Sequence, residues 1–149
     1  MVDLMALAEA VERAAEGSRD LDAAIAVGLR IGARGVLPDD HEYLSPIRKD
    51  DGCTPGTYWF CCRSGRSLRT APAFTTSIDA AMTLRPVGWS ISFGEKPGRP
   101  EHLRNFAWLN DHNTPDGIAV RHVEASARTI ALAITAVCLR AALAPVPAS

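Results

Sequence analysis

The closing stretch of the chain limits the possible folds more than any other feature. From Ile130 to Ala144, 15 residues, only Thr135 and Arg140 are polar. As a helix this run falls short of the roughly 20 residues that cross a bilayer, and Pro145 must end it. A helix lying on one sheet face needs a single apolar stripe, yet this one is apolar around nearly its whole circumference. The surplus has to be covered by the chain's other helices or by a second copy. The sequence therefore leads us to expect a homodimer resting partly on Ile130, Ile134, Val137 and Leu139, and no membrane partner.

The remainder has room to supply cover. A chain of 149 residues fits a single domain, 1–149, and can bury about two thirds of its unfolded surface. Hydrophobic residues make up 47% and charged residues 22%, so disorder is not expected. The formal net charge of -1 argues against a protein that coats nucleic acid by bulk charge. Met1 to Ala15 carries Asp3, Glu9 and Glu12 rather than a basic segment ahead of an apolar one, which points to the cytoplasm. Cys53, Cys61, Cys62 and Cys138 form no CxxC pair and read as reduced thiols packed as small hydrophobes.

Periodicity supplies the elements. Leu4, Leu7, Val11 and Ala14 give one apolar stripe over Asp3–Glu16, with Asp3 as cap and Gly17 as stop. Ser18 opens a second helix, with Asp20 and Asp22 near its positive end, and Gly32 to Gly35 closes it. Residues 35–56 read as an irregular insertion punctuated by Pro38, Pro46 and Pro55. Thr57–Cys62 is a strand, Arg63–Arg69 a basic loop and Thr75–Leu84 a helix capped by Thr75 or Thr76.

The second half alternates. Trp89, Ile91 and Phe93 stand against Ser90 and Ser92, the period of a sheet with one covered face. Arg104–Asn110 forms the next strand, with Phe106 and Trp108 on one face, and Ile118, Val120 and His122 a fourth. Ser126 then caps the final helix. The order ααβαβββα is an α+β fold whose last three strands form an antiparallel meander, in a sheet of three to four strands covered by helices.

The run Ala71-Pro-Ala-Phe-Thr-Thr-Ser-Ile-Asp-Ala-Ala-Met-Thr-Leu-Arg-Pro-Val-Gly-Trp89 resembles the central signature of the phage ABA sandwich domain. There, a proline-aromatic-Thr-x-Ser-Leu-Asp-Ala-Ala run leads through a proline to Gly-Trp. The closing helix from Ser126 is similar to that family's alanine- and leucine-rich C-terminal helix. The resemblance covers Pro72 to Ala144. The longer segment Gly35–Leu68 departs from the family, as does Arg85 in place of an aliphatic residue. What it implies is a three-layer α/β/α sandwich with helices on both sheet faces, encoded by a phage or prophage. No activity comes with it. The function to expect is an accessory protein in the host cytoplasm that binds a host protein.

Chemistry-bearing residues are sparse. His102, His112 and His122 recur evenly but fall in turns and on a strand, so no metal site is expected, nor any cofactor. Cys61 or Cys62 could meet His122 across a sheet, the basis of a small-enzyme alternative, but no activating motif surrounds either thiol. Helices with acids or alanines on their polar sides argue against duplex DNA. The most concrete feature is the basic loop, where Arg63, Arg66 and Arg69 alternate with Ser64, Gly65 and Ser67. With Trp59 or Tyr58 as a stacking surface, it could hold a small phosphorylated or nucleotide ligand.

Overall fold

The structure, a computed structural model, describes residues 3–32, 35–36, 43–46, 55–62, 65–113 and 121–143. Their order is α1 (Leu4–Arg13), α2 (Arg19–Gly28), β1 (Ile31–Gly32), β2 (Gly35–Val36), β3 (Tyr43–Pro46), β4 (Thr57–Cys62), β5 (Gly65–Thr70), α3 (Ile78–Met82), β6 (Trp89–Glu95), a 3₁₀ turn (Glu101–Leu103), β7 (Asn105–Asp111), β8 (Arg121–Ala127) and α4 (Ile130–Leu143). The fold is α+β, and all its strand pairs are antiparallel.

The apolar run of α4 finds its cover inside the chain. The helix packs on β7 and β8, with α1 along one side and α3 on another. Ile134, Val137 and Leu139 are fully buried in a single copy and Ile130 is partly buried. Ile134, Val137 and Leu139 are therefore core of the single chain and offer no exposed surface to a second copy, while Ile130 packs at the edge of that core. The two polar residues of the run are also accounted for. Thr135 Oγ1 donates to the Phe74 carbonyl at 2.8 Å. Arg140 pairs with Glu12 of α1, its Nε donating to Oε1 at 2.7 Å. α4 starts later than expected: Ser126 lies within β8, and the first turn is capped by Thr129, whose Oγ1 accepts from Leu132 N at 3.2 Å. The period-two pattern Val123, Ala125, Ala127 keeps the chain extended past Ser126, since both alanines are buried.

At the other end of the chain, Asp3 caps α1 by accepting from Met5 N and Ala6 N at 3.0 and 3.2 Å. Ser18 caps α2 by accepting from Leu21 N at 3.1 Å. Both helices end early, α1 at Arg13 and α2 at Gly28, and the stop sequence after α2 is a two-residue pairing, Ile31 opposite Val36 and Gly32 opposite Gly35. The segment 35–56 is not wholly irregular. Tyr43–Pro46 is a strand paired with β4, and β5 closes a three-stranded sheet in the order β3-β4-β5. That sheet is separate from β6-β7-β8, so Thr57–Cys62 does not extend the meander.

The motif that carries the family resemblance is used for packing. Phe74 and Thr75 are buried, and Asp22, fully buried on α2, accepts from Thr75 N at 2.8 Å and from its Oγ1 at 2.7 Å. Arg19 Nη1 donates to the same carboxylate at 2.7 Å. A buried carboxylate needs such partners, because an unpaired one would cost several kcal/mol. Thr75 is thus a bridge to α2, and the shorter helix α3 is capped by Ser77, which accepts from Ala80 N at 3.2 Å. Gly88 reverses the chain with φ of 84°, and a Cβ there would lie 1.8 Å from the Asn113 carboxamide oxygen.

Helix contacts with the β6-β7-β8 sheet come from α4, with α1 beside β8. Asn105, Ala107, Leu109 and Asp111 are buried along β7, whereas Phe106, Trp108 and Asn110 are only half-buried. Buried and less buried positions alternate, as expected when a helix covers one face. The described contacts contain no helix layer on the second face, so the helices-on-both-faces arrangement implied by the resemblance is not established for this sheet.

Candidate functional site

The face of β6-β7-β8 turned away from α4 holds the most chemistry among the described residues. Its register forms a small grid. Ser90, Asn110 and His122 stand in one row across the strands, Ser92, Trp108 and Glu124 in the next, and Gly94, Phe106 and Ser126 in the third. Serine and glycine at the β6 positions leave room beside the two large rings of β7, which are partly buried.

Phe106 and Trp108 stack with ring centroids 4.8 Å apart and planes 14° from parallel. Lys96 places its Nζ 4.9 Å from the Phe106 centroid. Phe106 therefore has a cation against its ring and an indole stacked on it, and aromatic and cation–π contacts of this kind each contribute about 0.5–1.5 kcal/mol. Gly94 makes room for the ring: a Cβ there would sit 3.2 Å from Phe106 Cζ. Along β7 the row runs Lys96, Phe106, Trp108, and Asn110 follows. No aromatic or cationic partner among the described residues occupies the second face of Trp108.

Polar groups border this row. His122 Nδ1 lies 2.6 Å from Asn110 Oδ1, and its Nε2 lies 2.8 Å from Glu124 Oε1. That contact, reinforced by the charges of Lys96 and Arg99, holds the Glu124 carboxyl below its ordinary pKa. Ser90 Oγ lies 2.8 Å from His112 Nε2. This hydroxyl–imidazole contact is exposed on the sheet surface rather than set in a cleft that would hold a substrate.

The buried face fixes the strands that carry these groups. Asp111 accepts from Arg121 Nε at 2.6 Å and from Asn113 N at 2.8 Å, and Arg121 lies over Trp89 with Cζ 4.8 Å from the ring centroid. The Asn113 amide, followed by the Arg121 guanidinium, lowers the Asp111 pKa against the opposing effect of burial. Asn105 Nδ2 donates to the Arg128 carbonyl at 2.6 Å, tying the start of β7 to the end of β8. The aromatic row thus rests on strands secured at both ends.

The site expected from sequence lies partly outside the described residues. Arg63 lies outside the described residues. Positions 66 and 69 fall on strand β5, not in a loop, and an odd spacing on one strand assigns them to opposite sheet faces. Trp59 lies on β4, opposite Leu68 and Ser45. Tyr58 is 2% exposed, so it offers no stacking surface, and burial raises its pKa, with Arg69 opposing. The segment read as a loop is strand because β4 and β5 pair along their whole lengths.

The cysteine alternative finds no support among the described residues. Cys138 is buried on α4, and burial pushes its pKa up to about 12, so its thiol is neither ionised nor accessible. Cys61 and Cys62 lie on β4, in a sheet separate from that of His122. Among the described residues, no group of three or more His, Cys, Asp or Glu is placed to hold a metal ion. No described helix is long and apolar enough to cross a membrane.

The sequence reading placed Phe106 and Trp108 together but missed their partners. Lys96, Gly94 and Glu124 become neighbours only through strand register. The one available sign was the series Ala107, Ala125, Ala127, small residues that let a helix approach closely and so mark the covered face. A scan against protein-family models and searches of curated proteins and of solved structures return no match.

Proposed function

We propose that the protein is a non-catalytic binding protein, and that the face of β6-β7-β8 turned away from α4 takes single-stranded nucleic acid. The observation that carries this reading is the Phe106–Trp108 stack, with Lys96 against the Phe106 ring and, among the described residues, no aromatic or cationic partner on the second face of Trp108. A nucleobase stacked on Trp108 continues the row above Asn110, where carboxamide, imidazole and hydroxyl groups can meet its edges. Base–aromatic stacking contributes about 1–3 kcal/mol per base and tolerates any sequence. The backbone then follows Lys96 and Arg99. Binding of this kind draws on stacking more than on bulk charge, which suits a chain with net charge -1.

This reading differs from the host-protein partner expected from the sequence and is nearer to its alternative, a small phosphorylated or nucleotide ligand at the arginines of 63–69. Phage origin and a host-protein partner remain proposals supported by the residue run 71–89 alone.

The test is a titration with a fluorescent oligothymidylate, measured by anisotropy at several salt concentrations. Two phosphate contacts give a slope of log K against log salt of about -1.4. Trp108→Ala and Phe106→Ala should each weaken binding while leaving the fold intact. Equal affinity in wild type and both variants would sink the proposal.

A further inference from the structure

A second site lies beyond the β8 edge. A cleft of roughly 450 Å³ is bounded by Glu9, Glu12 and Arg13 of α1, His102 and Leu103 of the 3₁₀ turn, Ser126 and Arg128 at the end of β8, and Arg140 of α4. Its charges are unequally satisfied. Arg140 is held by Glu12, with Nε 2.7 Å from Oε1. Arg128 reaches only the exposed Glu101, at 3.6 Å, beyond hydrogen-bond length, and its buried Nε has no acceptor among the described residues. Arg13 has no ion-pair partner among the described residues. The Ser126 hydroxyl also borders the cleft.

Three guanidinium groups thus line the cleft with Glu9 and Glu12, of which Glu12 is already paired with Arg140, while Glu101 stands 3.6 Å from Arg128. The Arg128 side chain is 34% exposed although its Nε is shielded from solvent, so it is the outer part of the guanidinium that an oxyanion in the cleft would meet. We infer that this cleft binds a small phosphate monoester, with Arg13 and Arg128 clasping the phosphate and Ser126 donating to it. A guanidinium presents its N–H groups as a fork that matches two oxygens of a phosphate. The volume leaves space for an organic portion beside the phosphate. Glu9, one helical turn before Arg13, is the charge that opposes binding and sets a limit on affinity.

This inference does not depend on the stacking row. The experiment follows arginine Nε–Hε resonances by NMR while glycerol 3-phosphate is added, with succinate and chloride as comparison anions. The expected result is saturable movement of the Arg13 and Arg128 signals. Affinity should fall at least about tenfold in Arg13→Ala/Arg128→Ala, and less in Arg128→Lys, which keeps the charge but loses the fork. Glu9→Gln should tighten binding, and Trp108→Ala should leave it unchanged. Absence of a saturable shift, equal binding by the double variant, or tighter binding of succinate or chloride than of the phosphate ester would each overturn it.

Discussion

The two faces of β6-β7-β8 are built from opposite materials. Beneath α4 the sheet presents Ala107, Leu109, Ala125 and Ala127, with the Asp111–Arg121 pair at one end. On the opposite side the same strands present Phe106, Trp108, His122 and Glu124. A fold governed only by burial would place the large rings under the helix, where each fully buried large apolar side chain stabilises by about 1.5–3 kcal/mol. Here the covered face buries one ring, Trp89 of β6, and over β7 and β8 it is filled by Leu109 and by alanines at close approach, matched by Ala131, Ala133, Ala136 and Ala141 of α4. The β7 aromatics remain half-exposed, stacked on each other. The contrast separates the covered face, which holds the fold, from the opposite face, to which the proposed function assigns binding.

Mutations on the two faces should therefore have different consequences. The largest effect on stability belongs to the covered side. Ile134→Ala, at a site with no exposure, should lower unfolding free energy by about 2–5 kcal/mol in a denaturant titration. Oligonucleotide affinity per folded molecule should not change. Trp108→Ala is the mirror case: about 1–3 kcal/mol of binding lost and a far smaller change in stability. If Trp108→Ala unfolds the protein, the division between the faces fails.

Smaller effects refine the comparison. Gly94→Ala puts a methyl group 3.2 Å from Phe106 Cζ, so the ring must shift by a few tenths of an ångström. Binding should weaken, by less than in Trp108→Ala, while stability is nearly preserved. Acidification should act through the covered face. Asp111 has a lowered pKa when folded, so it adds stability above the usual carboxylate range, and that stability is lost as pH falls through the lowered value. Asp111→Asn should flatten the acid limb of a stability-versus-pH curve.

Cys138 gives the opposite sign. The folded chain holds its thiol protonated up to about 12, whereas the unfolded chain ionises near 8.5. Its contribution is complete below that lower value and is lost as pH rises through the interval. At neutral pH iodoacetamide should leave Cys138 unmodified in the native protein and alkylate it in denaturant, as read by peptide mass spectrometry.

Much of the framework was legible in the chain. The caps Asp3 and Ser18, the strand Thr57–Cys62 and the reversal at Gly88 follow from local chemistry that tertiary structure did not override. The start of α4 was misplaced because Ser126 is a good cap by residue type, while the period-two burial of Ala125 and Ala127 is a tertiary effect. The interface expected at Ile130, Ile134, Val137 and Leu139 was misplaced for a similar reason, the last three being buried within the chain: periodicity reveals surplus apolar surface but not what covers it. The site was the least legible. Arginines at 63, 66 and 69 look convergent in a loop, yet strand pairing with β4 separates positions 66 and 69. Lys96, Gly94 and Phe106 are scattered in sequence and meet only through antiparallel register.

The most direct test of the division between the faces is an amide NMR map of the wild-type protein titrated with oligothymidylate. The account expects shifts concentrated at residues 94–96, 106, 108, 110, 122 and 124, with Ala107, Ala125 and the interior of α4 unmoved. Shifts centred on β4 and β5 instead, or none at saturating oligonucleotide, would contradict it.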